Sequence, residues 1–145
     1  MANALYDTGR EGFLAGEIDW DTAVIKCALV RGYTPNLATH KFVSDVTGAG
    51  GTLVATSAAL TSKTVTAGTA DAADVTFTAV ASGAAIPYVL VFQSSAVGGG
   101  ADVAASSQRV IALYDTSTGV ALPVTPNGGD IVVQWDSGTN RMFRL

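Results

Sequence analysis

At 145 residues the chain is long enough to bury one sizeable core, and a single domain is the expected organisation. Only 14% of residues are charged against 48% apolar, with a net charge of −4, whereas an ordinary soluble chain is about a quarter charged. The eight basic residues stand singly, so no stripe exists to neutralise phosphates and nucleic-acid binding is not expected; with no run near the ~18 apolar residues of a membrane span, no membrane-spanning segment is expected either.

Two readings of the low charge stand: surface buried against other subunits, or an unusually deep core. Cys27 is the only cysteine, which leaves no intramolecular disulfide and no cysteine-based zinc site. It sits in a strand-like run and reads as a small core residue. The N-terminus has no basic stretch followed by an apolar one, so no signal peptide is expected.

Residues 1–20 read as an arm. A helix is predicted over 3–15, with Asn3 as N-cap, Asp7 favouring the first turn and an Asp7–Arg10 pair three apart. Gly9 and Gly12 weaken it by about 1 kcal/mol each relative to alanine, and Gly16 suits its C-terminal cap. Such a helix needs a surface for Leu5, Tyr6, Phe13 and Leu14, either its own sheet or a neighbouring subunit. Glu17, Asp19 and Asp21 alternate around Ile18 and Trp20. They read as a solvated acidic turn, with a weak calcium cluster lacking the EF-hand pattern or a contact to a basic partner as the alternatives.

From residue 22 a two-residue period takes over. Ala23, Ile25, Cys27 and Leu29 share one face, and Lys26 marks the opposite face as the wetter one. A loop follows over 32–40, then a short helical turn near 39–44 and a glycine turn over 47–51. Two Thr/Ser/Ala-rich strands, 52–58 and 63–67, suit a sheet edge or an inter-subunit sheet. A turn over 68–73 precedes a strand over 74–81 with Val75, Phe77 and Ala79 inward.

Ile86–Phe92 and Arg109–Tyr114 are apolar on both faces and read as central strands, separated by the glycine-rich stretch 97–101. Leu122–Pro126 is extended, Asn127–Asp130 is a tight turn, and Ile131, Val133 and Trp135 share the inner face of the next strand. Residues 142–145 are expected to pair back on that strand. The whole predicts an all-β fold, a β-sandwich or jelly-roll-like domain of eight or nine short strands over 21–145, after the helical arm.

Catalytic signatures are missing. Gly48-Ala-Gly-Gly-Thr-Leu53 starts like a dinucleotide loop but has Leu53 where the third glycine belongs. No Gly-x-Ser-x-Gly elbow occurs, and His40, the sole histidine, reads as an exposed loop residue. One histidine supplies no multi-histidine metal site. Asp115 and Asp136 open turns. Trp20 and Trp135 read as structural anchors. The chain is not expected to be an enzyme, and no cofactor is expected.

The stretch Ala2-Asn-Ala-Leu-Tyr-Asp-Thr-Gly-Arg-Glu-Gly-Phe-Leu-Ala-Gly-Glu-Ile-Asp-Trp20, followed by Ile25-Lys-Cys-Ala-Leu-Val30, resembles the opening of a family of small tailed-bacteriophage virion structural proteins. Asp115-Thr-Ser-Thr-Gly-Val-Ala-Leu-Pro-Val-Thr-Pro-Asn-Gly-Gly-Asp130 and the closing Met142-Phe-Arg-Leu145 resemble the same family's ending. About half the chain carries the resemblance. It implies a virion protein assembled in the host cytoplasm, with no catalytic residues to carry over. The leading expectation is a capsid decoration (cement) protein that binds the major capsid protein and itself, as a homo-oligomer such as a trimer. A tail, baseplate or fibre component and a receptor- or glycan-binding module are the alternatives. Leu5, Tyr6, Phe13, Leu14 and Trp20 are the expected interface residues.

Overall fold

The computed structural model describes residues 3–139 and 141–145. The domain is all-β, with two short α-helices. A five-stranded antiparallel sheet forms its centre. Its strands are β1 (Ala4–Leu5), β2 (Ile25–Arg31), β3 (Thr52–Thr56), β7 (Tyr88–Gln93) and β10 (Val110–Tyr114). They lie in the order β1-β10-β7-β2-β3.

The predicted doubly apolar runs become β7 and β10, the two strands that adjoin at the middle of this sheet. All five residues of β10 are buried, as are Val89–Gln93 of β7. Each fully buried Val, Leu or Ile here contributes about 1.5–3 kcal/mol relative to exposure. The Thr/Ala-rich β3 lies at the sheet edge, where few side chains have to fill a core.

Short ribbons form a second layer. They are β4 (Thr64–Thr66), β5 (Thr69–Asp71) and β12 (Phe143–Arg144) in one sheet, and β6 (Val75–Phe77) with β11 (Ile131–Val133) in another. A hairpin of β8 (Ser95–Ala96) and β9 (Gly99–Asp102) completes the strands. Ile25, Cys27, Leu29, Val91 and Ile111 from the central sheet meet Phe77, Ile131, Val133 and Phe143 from the ribbons in one core. This is the sandwich-like core that the period-2 pattern predicts.

The opposite face of the sheet is covered too. Helix α2 (Val43–Gly48) places Val43 and Val46 over Ala28, Val30, Leu90 and Leu113. Lys26 therefore marks only one wet end of that face, where its ammonium pairs with Asp102 at 2.7 Å.

The ribbons account for several departures from expectation. Residues 69–71, expected as a turn, are strand β5, which links β4 to β12. Arg144 and Phe143 pair with Thr69 and Ala70, not with the preceding strand. That preceding strand, β11, is already taken by β6, with Ile131 opposite Phe77 and Val133 opposite Val75. Trp135 is pinned beyond it, its main-chain N–H donating to Asp74 and its indole N–H to the Ala73 carbonyl. Ala79 is exposed with φ 49°, so β6 stops short of it and Val80 is buried instead.

The helix α1 spans Asp7–Leu14, not 3–15. Asn3 does not cap it. The Asn3 side chain reaches the turn after β10 and accepts the Asp115 and Thr116 N–H groups, while Ala4 and Leu5 pair with Leu113 and Ala112. The helix ends as expected. Gly16 has φ +73°, its N–H reaches the Phe13 carbonyl, and Glu17 N–H reaches that of Gly12.

Candidate functional site

The five expected interface residues part company. Leu5, Tyr6 and Trp20 are buried in the chain's own core. Phe13 is half-buried against Phe143, with ring centroids 5.9 Å apart, and the Trp20 ring meets Phe143 edge-on at 5.1 Å. Leu14 alone projects outward, 90% exposed. Of the two surfaces open to the arm, its own sheet is the one it covers.

Two glycines make this possible. The buried side of α1 is Thr8, Gly9 and Gly12, which lets the helix backbone rest on β10. A Cβ on Gly9 would lie 2.9 Å from the Ile111 carbonyl oxygen. Two glycines three apart on one helix face were the available signal, and they serve close approach as well as weakening the helix.

Arg109, buried to 4% exposure, clamps the arm from the sheet side. Its Nη2 donates to the Thr8 carbonyl, and its Nη1 lies 2.8 Å from a Glu17 carboxylate oxygen. Glu17 is thus directed away from its acidic neighbours. Asp19 accepts the Asp21 and Thr22 N–H groups, and these contacts hold its carboxyl below the ordinary carboxylate value. This is the local turn geometry, and among the described residues no three His, Cys, Asp or Glu side chains gather as a metal cluster.

His40 is half-buried, not exposed, and ends a polar chain that begins in the core. Its Nδ1 accepts the Asn36 N–H at 3.3 Å. The Tyr33 hydroxyl lies 2.6 Å from this Nδ1 and 2.9 Å from the Tyr6 hydroxyl, so the three side chains form one hydrogen-bonded chain. Burial pushes both phenols above their ordinary value, Tyr6 more strongly. Burial likewise pushes the Cys27 thiol up to about 12, which keeps it protonated and unreactive at neutral pH.

A cleft of about 900 Å³ lies between β1 and β12, the outer strands of two different sheets. Tyr114, Trp135 and Met142 contribute to its wall, and the Tyr114 hydroxyl donates to the Met142 carbonyl at 2.6 Å. Arg10, Arg141 and Arg144 line it, brought together from opposite ends of the chain. Arg141 has φ 49°, a backbone region costly for a side-chain-bearing residue. Spacing in the sequence could not have revealed this grouping, because it depends on β12 pairing with β5.

No protein-family model, curated protein or solved structure matches the chain.

Proposed function

We propose that this protein is a structural component of a tailed-bacteriophage virion, and specifically a decoration protein that binds the head lattice. The observation that carries the reading is its surface. Strands β3 and β4 are uncharged edges, and Leu14, Val65, Val97, Val132 and Leu145 are large apolar residues left in solvent. Natural monomers usually protect sheet edges with charge or proline, and these two strands have neither. The resemblance of both chain ends to small virion proteins supports the same reading.

The mechanism is mechanical. Subunits seated across capsomer boundaries add apolar and hydrogen-bonded contacts that are lost when the shell ruptures, so binding stabilises the closed shell by mass action. The major capsid protein is the proposed partner, and self-association, for example as a trimer, would spread the contacts. The anchoring surface is not the arm's Leu5, Tyr6 or Trp20, because those side chains hold the fold together. Leu14 and the open edges remain for it.

The test is the copy number of the chain in purified virions, measured by quantitative mass spectrometry against the major capsid protein. A ratio near one, or a simple fraction of it, is expected. A ratio of a few per cent or less would transfer the protein to the tail, baseplate or fibre, and absence from particles would overturn the virion reading.

A further inference from the structure

On both sides of the cleft between β1 and β12, main-chain groups turn away from their own sheets. Tyr6 N–H donates to the Ile111 carbonyl at 2.9 Å, so antiparallel alternation turns the N–H and C=O of Leu5 away from β10. Leu145 N–H donates to the Gly68 carbonyl at 3.0 Å, and the same alternation turns the main-chain groups of Arg144 away from β5. Leu5 and Arg144 both line the cleft. We propose that the cleft takes an extended acidic peptide segment of a partner chain, paired by backbone hydrogen bonds to these edges and selected by Arg10, Arg141 and Arg144. The partner's identity as a virion protein rests on the reading above; the chemistry of the cleft does not.

Charge complementarity selects the occupant. Three of the chain's eight basic residues line this one cleft in a protein of net charge −4, and Asp136 is the only acidic side chain among its lining residues. Arg10 is shared with the exposed Asp7 at 3.0 Å, and Arg141 approaches Asp71 only to 3.7 Å. Arg144 is exposed and makes no ion pair among the described residues. An incoming carboxylate therefore meets at least one uncommitted guanidinium.

A sugar acid fits less well. Trp135 and Tyr114 are buried, and each uses its polar atom within the fold. So little of either ring is exposed that neither offers an open face for stacking, whereas an apolar wall suits the alternating apolar side chains of a strand. The occupant should thus alternate acidic and apolar residues. The chain's own Glu17-Ile-Asp-Trp-Asp21 has that pattern, but Ile18 and Trp20 are buried, so a second copy cannot present it as a free strand.

Fluorescence anisotropy with the full chain and a fluorescein-labelled peptide of alternating Glu and Val tests this. Binding that weakens with salt is expected, with a loss of about tenfold or more in the Arg141→Glu/Arg144→Glu variant. The same peptide N-methylated at alternate amides should lose binding to the unaltered protein, a readout independent of any variant's folding. Equal binding of the N-methylated peptide, or of its Lys–Val counterpart, would overturn the proposal. So would binding of polygalacturonate with none of the peptide, which would reassign the cleft to acidic sugars. If the peptide fails while the protein is abundant in virions, the cleft inference falls and the decoration reading stands. If the peptide binds while the protein is missing from virions, the decoration reading falls and the cleft inference stands.

Discussion

Gly12 of α1 stands against the guanidinium of Arg109. A Cβ at that position would lie 2.5 Å from Arg109 Nη2 and 2.5 Å from Ile18 Cδ1. In an exposed helix, Gly→Ala would stabilise by about 1 kcal/mol. Here the methyl must displace a buried guanidinium and a packed isoleucine, and overpacking of this kind costs about 1–3 kcal/mol. Gly12→Ala should therefore lower the denaturant midpoint with no change in slope. A raised midpoint would mean that the helix stands off from β10 and Arg109 far enough to admit a methyl group.

The arm is part of the core, and its removal should show it. Deleting residues 1–16 takes away β1 and the fully buried Tyr6. The truncated chain is expected to lose its near-ultraviolet circular dichroism and its cooperative melt. Tyr6→Phe, which removes only the hydroxyl bonded to Tyr33, should cost about 1 kcal/mol, and Tyr6→Ala about 3–5 kcal/mol. A truncated protein that melts at the wild-type temperature would restore the separate arm.

Asp45 makes part of the stability pH-dependent. Its carboxylate accepts the Lys41 and Phe42 N–H groups at 2.8 and 2.9 Å, and these bonds hold its pKa below the ordinary 3.8. A lowered folded-state value means that the contribution is fully present above the unfolded value and is lost as pH falls through the folded one. Unfolding free energy should thus drop below about pH 4. Asp45→Asn keeps an acceptor but does not titrate, so its denaturation series from pH 5 to pH 2 should be flatter than that of the wild type. Identical slopes would assign the acid sensitivity elsewhere, with Asp102 beside Lys26 as the next group to vary.

Local pattern was enough to mark most of the strands. Val89–Phe92 and Val110–Leu113 carry apolar side chains at every successive position, which only a strand covered on both faces can bury. Thr52–Thr56 and Thr64–Thr66 carry too little apolar volume for anything but an edge. Gly16 closes its helix because a left-handed residue is needed there, a strictly local demand. The all-β class and the sheet's central strands follow from such demands, since they depend on a few neighbouring residues.

Pairing between distant segments is a different matter. Nothing adjacent to Phe143 and Arg144 says that they join Thr69 and Ala70, because short strands with few side chains satisfy several partners equally well. The choice is made by which edges remain once β6 has taken β11. That choice puts Arg144 on the cleft between β12 and β1 that Arg10 also lines. It also places Phe143 against Phe13 and Trp20, folding the arm inward. The sequence by itself determined where most of the strands form and which of their faces are apolar, because backbone geometry reads side chains a few residues apart. Only the tertiary structure decided which residues are surface and which edges are free, because burial depends on the competition of the whole chain for the same partners.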